Sequence, residues 1–231
     1  MILSITRSTS RLSAGARAVE RGDLDHRVPV KRHDQLGDLA RSFNHMTDSV
    51  QSMLADVAEK ERLARELELA REIQESLLPA RHLEMGPVTV RATFMPAAEV
   101  GGDYFDVFPL SEDRLVVAIG DVAGHGLSTG LLMASLKSSV AALVNEGYSG
   151  TDLIEKVNHL LLGQGHGRTM VTLTMIEIDL EEGRLNLANA GHCPPFLMGS
   201  GKPPEELLAS SLPMGNRHCR PAILQRPCPG D

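Results

Sequence analysis

Two acidic residues set among glycines are the part of the sequence best suited to do chemistry. Asp103 lies in Gly-Gly-Asp-Tyr-Phe-Asp at 101–106, and Asp121 lies in Ile-Gly-Asp-Val-Ala-Gly-His-Gly at 119–126. Asp121 follows the apolar run 115–119, which is short, rich in β-branched residues and typical of a buried strand. A carboxylate at the end of such a strand is costly unless a hydrogen-bonded turn, a basic side chain or a metal ion compensates its charge.

The elements around the two acids predict that they lie side by side. Residues 104–108 and 115–120 are predicted strands, and antiparallel pairing would bring Asp103 and Asp121 to the same end. Close carboxylates raise each other's proton affinity unless cations neutralise them, and such oxygen ligands suit Mg²⁺ or Mn²⁺. The spacing alone leaves two alternatives open, namely a metal site and a pair of turn-capping aspartates.

The glycines beside the acids favour the metal site over the turn-capping alternative. Gly101-Gly102 and Gly124-x-Gly126 allow the backbone to approach closely and leave carbonyl groups free to coordinate an ion. Val122 is placed to offer its backbone carbonyl to an ion bound by Asp121.

The amino-acid composition indicates which partners and which cellular compartment to expect. The chain has 231 residues, no Trp, 3% aromatic residues and a net charge of −7, so base stacking and binding to phosphate backbones are disfavoured and we expect no nucleic-acid partner. Three widely spaced cysteines and the lack of a signal peptide predict a reducing, cytoplasmic compartment. No run reaches the ~20 apolar residues that span a bilayer. The arginine-rich stretch 1–21 is typical of a segment just inside a membrane, or of a solvated helix face.

The first 79 residues are predicted to be helical with one extended connector. A short helix covers 5–19, the connector covers 22–30, and Asp34 is the candidate N-cap of a long second helix that ends at Pro79. Its apolar residues repeat in steps of three and four, which is the pattern of a coiled-coil seam that requires a partner. These seam residues are Leu36, Leu39, Phe43, Met46, Val50, Met53 and Val57. The seam changes phase at about Leu63, as a stutter in a continuing helix does.

Taken together, the first helix, a connector with Gly-Asp-Leu, Asp34-x-x-Gly37 and Phe43-Asn44-x-Met46 resemble a HAMP signalling module. Ser8 and Gln35 depart from the family pattern, which usually has Pro and Glu there. The resemblance implies a HAMP domain over 1–55 that forms a parallel dimeric four-helix bundle. It also implies a coiled-coil linker helix over 56–79, which relays a signal from an upstream transmembrane sensor.

The rest of the chain is predicted to be an α+β layered domain. Strands are expected at 88–94, 169–179 and 184–190, in addition to the pair that carries the acids. Helices are expected at 129–146 and 151–162. Strands followed by two helices and more strands predict a sheet or pair of sheets with a helical layer.

Four motifs in this part resemble the PPM-type metal-dependent serine/threonine phosphatases, in the bacterial SpoIIE/RsbU-like branch. They are Gly-Gly-Asp-Tyr-Phe-Asp, Gly-Asp-Val-Ala-Gly-His-Gly, Asn189-Ala190-Gly191-His192 and the lead-in Gln-Glu-Ser-Leu-Leu-Pro at 74–79. The resemblance implies that 80–231 is part of a PPM-type layered β-sandwich flanked by helices. It covers about residues 74–231.

The resemblance also implies roles for individual residues. Asp103 and Asp121 would be ligands of a two-ion Mn²⁺ or Mg²⁺ centre, with the backbone carbonyl of Val122 as a further ligand. Apart from the resemblance, the position of His125 beside Asp121 leaves two alternatives open: it positions phosphate or protonates the leaving serine oxygen, or it has a structural role in its loop. For His192 we expect a turn-stabilising role rather than a catalytic one.

The sequence departs from the family pattern at the end of the chain. In the family a Pro-Gly-Asp turn leads to a strand ending in Asp-Gly and later to another Asp, whereas this sequence ends at Pro229-Gly230-Asp231. The expected domain is therefore truncated at its C-terminus and lacks the downstream ligands.

The resemblances together imply a biological role. The expected substrate is a phosphorylated anti-anti-sigma protein of the STAS type, whose dephosphorylation would release an alternative sigma factor. We expect a homodimer, formed through the HAMP module and coiled coil, that lies in the cytoplasm at the inner face of the membrane in a longer parent protein. Helix 127–146 is a candidate switch element. The alternative is a non-catalytic dimeric signalling fragment without a complete metal centre.

Overall fold

The computed structural model describes residues 2–31, 34–95, 100–163, 169–199 and 201–228, with side chains from residue 6 onwards. The terminal Pro229-Gly230-Asp231 turn lies outside these ranges. The chain divides into two compact units, 1–66 and 67–231. Each is described by itself below.

The first unit is made of helix α1 (Ile2–Glu20), the connector and most of helix α2 (Gln35–Leu77). Asp34 caps α2 as predicted, because its carboxylate accepts hydrogen bonds from the backbone N–H groups of Leu36 and Gly37. The side-chain amide of Asn44 pins the connector by bonding both the N–H and the carbonyl of Val28, at 2.9 Å each. Val28 is consequently buried between the helices.

Helix α2 continues without interruption to Leu77, two residues before Pro79. The prediction of one long helix is therefore confirmed, and the proline accounts for its end because the residue before proline disfavours helical backbone. Four of the predicted seam residues lie at least half exposed in the single chain, namely Leu39, Met46, Met53 and Val57. This apolar stripe is unusual for a solvated helix.

The second unit is built on a five-stranded antiparallel sheet with the order β3-β4-β5-β6-β9. Its strands are β3 (Asp103–Pro109), β4 (Arg114–Val122), β5 (Val171–Asp179), β6 (Arg184–Ala190) and β9 (Ala222–Pro227). Two small hairpins accompany it, one formed by β1 (His82–Met85) and β2 (Val88–Arg91), the other by β7 (Phe196–Leu197) and β8 (Glu205–Glu206).

Helices α3 (Leu127–Asn145) and α4 (Gly150–Gly163) cover one face of the sheet. The core between them contains alternate residues of β4, such as Val116 and Ala118, and the inner faces of both helices, such as Leu136 and Leu153. Within the described ranges, α3 alone is long and apolar enough to cross a membrane. One face of α3 is buried in this core, and this packing explains the apolar composition of the helix.

The predicted α+β layered class is confirmed, and most of the predicted elements are present. The predicted strand 88–94 was too long, because β2 ends at Arg91. Four strands were missed altogether, namely β1, β9 and the two-residue strands β7 and β8. Strand β1 is only four residues long and pairs with β2 across the turn at Gly86, and the edge strand β9 exposes Ile223, so neither shows a long apolar pattern.

Truncation of α3 on its two faces tests this packing. Leu136→Ala should lower the free energy of unfolding by about 2–5 kcal/mol, because Leu136 is 1% exposed and truncation leaves a cavity. Leu131→Ala removes the same atoms from a residue of the same helix that is 65% exposed, so its effect should stay within about 0.5 kcal/mol. Urea unfolding measures both values, and equal losses would contradict this assignment of the faces.

Candidate active site

The pairing of β3 with β4 places the two acids directly opposite each other. Asp103 and Asp121 are register partners at the open end of the hairpin, so the predicted adjacency is confirmed. Asp121 is in turn the register partner of Thr172 on β5. Because register partners in an antiparallel sheet share a face, the three side chains form one polar row across the ends of three strands.

Gly102 leaves room for oxygen atoms to converge beside this row. A Cβ atom at this position would overlap the carbonyl oxygen of Val122 and lie 2.9 Å from Oδ1 of Asp121. The Val122 carbonyl and the Asp121 carboxylate therefore border the same small space. Any residue other than glycine at position 102 would fill that space.

The electrostatics of Asp121 favour a cation at this place. Burial raises the pKa of Asp121, and the neighbouring Asp103 charge raises it further. His192 and the backbone N–H of Val122 oppose that shift. A positive ion between the carboxylates would remove the repulsion and partly compensate the loss of water.

The chemistry of these groups fits Mg²⁺ or Mn²⁺ in part. Two carboxylates and a carbonyl are hard oxygen ligands, and Mg²⁺ commonly binds to one or two carboxylates while keeping several waters. Across the described residues, no three His, Cys, Asp or Glu side chains lie close enough together to hold an ion. Water, the Val122 carbonyl or groups outside the described chain would have to complete the coordination.

His192 lies nearer to the acids than the sequence indicated. It follows β6 in the turn at Gly191, its ring is half-buried, and its Nδ1 lies 2.8 Å from the Thr172 hydroxyl. Burial lowers the pKa of His192, while the charges of Asp121 and Asp103 act to raise it. The expected turn motif is present, but its histidine is also placed beside the acidic pair.

His125 has a different position from His192. It is exposed in the loop between β4 and α3, which is anchored by hydrogen bonds from Ala123 N–H to the Met170 carbonyl (2.9 Å) and from Gly126 N–H to the Val100 carbonyl (3.2 Å). The loop follows Asp121 directly. His125 is therefore close to Asp121 along the chain. Its chemical role stays a prediction.

Gln74 fixes the backbone next to Asp103, and an ion pair lies further along β3. Gln74, near the end of α2, is 5% exposed, and its amide bonds both the carbonyl of Gly101 (2.6 Å) and its N–H (3.1 Å). Asp106, on β3, is 4% exposed and forms an ion pair with Lys137 of α3. The sequence pattern indicates no role for Asp106 or Lys137, and it contains Gln74 only as part of a family motif.

An open groove of about 790 Å³ leads away from the acids along the sheet face opposite α3 and α4. Asp103 and His192 lie at its polar end. The remainder is mostly apolar and includes Phe105, Val117 and Ile119. A substrate larger than a free phosphate ester therefore has a surface beside the acidic pair.

Two family models match the chain. Residues 1–52 match the HAMP domain, and residues 111–222 match stage II sporulation protein E (SpoIIE). The SpoIIE match includes Asp121, Val122, His125 and His192 but begins after Asp103. The two matches follow the order of the predicted regions.

The chain is also similar to curated and solved proteins. It is 27% identical over 82% of its length to Protein IcfG of Synechocystis sp. and 31% identical over 65% of its length to the phosphoserine phosphatase RsbP of Bacillus subtilis. It spans 34% and 38% of these two relatives. The SiaA-PP2C domain of Pseudomonas aeruginosa shares its fold, with a TM-score of 0.61, 17% identity, and coverage of 74% of this chain and 69% of that one.

The raised pKa of Asp121 gives stability a defined pH dependence in metal-free protein. The folded state holds a proton on Asp121 more tightly than the unfolded state, so ionisation of this group opposes folding at neutral pH. Asp121→Asn should therefore be more stable than the parent at neutral pH. The difference should shrink as pH falls towards the ordinary carboxyl value of 3.8.

Urea unfolding in the presence of a chelator, repeated across this pH range, measures the effect. Asp113→Asn is the matched control, because it removes an equal charge from the exposed β3–β4 turn. A stabilisation of the same size in both variants, or one that grows on acidification, would contradict the raised pKa of Asp121.

Proposed function

We propose that this chain, a HAMP-containing member of the SpoIIE family of PP2C-type phosphatases, hydrolyses phosphoserine or phosphothreonine in a signalling protein. The observation that carries the proposal is the facing pair of Asp103 and Asp121, with the Val122 carbonyl beside it. This arrangement gathers negative charge where a divalent cation and a phosphoryl group could be held together. Similarity to a phosphoserine phosphatase supports the same reaction class.

The reaction is hydrolysis of a phosphate monoester. The oxygen of a water molecule forms a bond to phosphorus while the bond from phosphorus to the serine or threonine oxygen breaks, and that oxygen takes up a proton. The products are inorganic phosphate and the free hydroxyl side chain. When bound, Mn²⁺ or Mg²⁺ would lower the pKa of water at the site and neutralise phosphoryl oxygens. No covalent intermediate with the protein is needed.

The residues of the chain have distinct parts in this proposal. Asp103, Asp121 and the carbonyl of Val122 would hold up to two ions. His125, exposed in the loop that follows Asp121, would contact the phosphate or supply the proton to the leaving oxygen. The apolar groove would take the part of a protein substrate next to its phosphorylated residue.

The substrate we propose is a phosphorylated anti-anti-sigma protein of the STAS type, whose dephosphorylation would free an alternative sigma factor. This follows from the resemblance to the SpoIIE/RsbU branch. The chain spans little more than a third of its curated relatives, so sensing and other steps would belong to further parts of a longer protein.

Regulation would enter through the HAMP module and the long helix. The exposed stripe Leu39, Met46, Met53 and Val57 would be covered by a second copy of the chain in a parallel coiled coil. HAMP modules are found in membrane-linked signalling proteins, so we place the dimer on the cytoplasmic side of a membrane. At the far end of the same helix, Gln74 bonds the backbone two residues before Asp103.

One observation favours a second candidate function, that of a non-catalytic dimeric signalling module. The described residues do not group three metal-ligating side chains. A site with two carboxylates could then bind an ion too weakly for turnover. Dimerisation through α2 would remain possible in that case.

Hydrolysis of a phosphoserine protein or peptide in the presence of Mn²⁺ distinguishes the two functions. We expect phosphate release by the parent chain and a loss of at least about 10²-fold in Asp121→Asn, because the variant removes a charged ligand. Asp113→Asn should keep the parent's activity, since this residue lies in the exposed turn. Equal rates in the parent and Asp121→Asn, or Mn²⁺-independent release, would favour the non-catalytic module.

Insertions into α2 test the coupling from the helix to the site. One or three residues inserted after Glu61 rotate the following helix by about 100° per residue relative to the seam, whereas seven nearly restore its phase. We expect the first two insertions to change the hydrolysis rate and the seven-residue insertion to leave it close to that of the parent. Indifference of the rate to helical phase would contradict this relay.

A further inference from the structure

We propose that His192 is a further catalytic residue of this site, whose Nε2 accepts a hydrogen bond from a water held beside Asp103 and Asp121. Thr172 and Asn189 would be the positioning residues that aim the ring. The catalytic meaning of this contact rests on the proposed function, since the oriented water would be the one that attacks phosphorus. The contact itself is a property of the folded chain.

The first support is the position of the ring relative to the polar row. Asp103, Asp121 and Thr172 are successive register partners on β3, β4 and β5. The ring of His192 meets the Thr172 hydroxyl at 2.8 Å and therefore extends the row by one place. His192 and Asp103 also line the same groove. One end of the sheet thus carries two acids, a hydroxyl and an imidazole side by side.

The second support is the way in which the backbone of His192 is held. Asn189 is 2% exposed, and its side-chain amide bonds both the N–H of His192 (2.9 Å) and its carbonyl (3.0 Å). The same amide bonds the Thr174 hydroxyl and the Ala209 carbonyl, so its hydrogen-bonding capacity is fully used. The backbone that carries the His192 ring is therefore held in one position.

We assign the proton of the His192 ring to Nδ1 as part of this proposal. The Thr172 hydroxyl lies 2.8 Å from that nitrogen and 3.4 Å from the backbone carbonyl oxygen of Asp121, and it has one proton to donate. When that proton goes to the Asp121 carbonyl, the hydroxyl accepts the Nδ1 proton. Nε2 then keeps a lone pair and can accept a hydrogen bond from water.

We place a water molecule between His192 and the two acids. His192, Asp103 and Asp121 do not lie close enough together, in the described part of the chain, to bind one ion jointly. A single water bridges such a separation at little cost. A water that donates one proton to Nε2 and the other to the acidic pair has a fixed direction for its lone pairs.

NMR of histidine-labelled full chain tests the contact without reference to turnover. Long-range ¹H–¹⁵N spectra show which ring nitrogen carries the proton, and we expect His192 to be protonated at Nδ1 alone. Thr172→Val should abolish this preference. Added Mn²⁺ should broaden the His192 ring signals and leave those of His159, exposed on α4, unaffected. A proton on Nε2, or ring signals insensitive to Mn²⁺, would overturn the proposal.

Kinetics with the phosphoserine substrate test the catalytic consequence. His192→Ala should lower kcat by about 10²-fold. KM and the Mn²⁺ affinity measured by calorimetry should remain those of the parent, whereas a merely structural role would weaken Mn²⁺ binding too. Thr172→Val, a conservative change, should lower kcat by a smaller factor, and His159→Ala should have no effect.

The two levels of inference fail in different ways. If the parent chain binds Mn²⁺ but hydrolyses nothing, the proposed function is refuted, and the NMR result alone decides whether Nε2 faces the bound ion. If the parent is active and His192→Ala keeps its kcat, the catalytic role of His192 is refuted and the phosphatase function stands.

Discussion

The enforced proximity of two carboxylates is the constraint to which the rest of the site responds. Strand register gives Asp103 and Asp121 no freedom to separate, because each is part of a ladder that continues through the core. Burial and, after it, the neighbouring Asp103 charge both raise the pKa of Asp121. A protein selected for stability alone would not keep this pair, so its presence indicates a site at which charge is used.

Buried side-chain amides hold the backbone around this site. Gln74, Asn158 and Asn189 each bond a main-chain group that is distant in sequence, and Asn189 also bonds the nearby backbone of His192. The partly buried Asn44 bonds Val28 in the same way in the first unit. A typical hydrogen bond contributes about 1 kcal/mol net, but a buried amide left unpaired costs more. These contacts therefore favour one arrangement of each loop over its alternatives. The loops that carry Asp103 and His192 are both fixed in this way.

Much of the fold follows from local pattern. The seam of α2 repeats with a period that only a helix satisfies, and Asp34 marks its start. The apolar run before Asp121 is short and β-branched, so it indicated a buried strand, and the tight connection from β3 to β4 implied antiparallel pairing. The adjacency of the two acids could be predicted for that reason. By contrast, β1 and β9 are short strands without a long apolar repeat, and pairing with neighbouring strands is what gives them their structure.

The sequence by itself determined the periodic elements and the hairpin that joins Asp103 to Asp121, because these depend on residues near one another in the chain. Only the tertiary structure decided that Gln74 bonds Gly101, that Lys137 pairs with Asp106, and that His192 reaches Thr172 beside Asp121. Each of these contacts joins residues on different strands, helices or loops. Their partners are set by the packing of the sheet against its helices and loops. The sequence pattern therefore does not predict which distant backbone group an amide or an imidazole contacts.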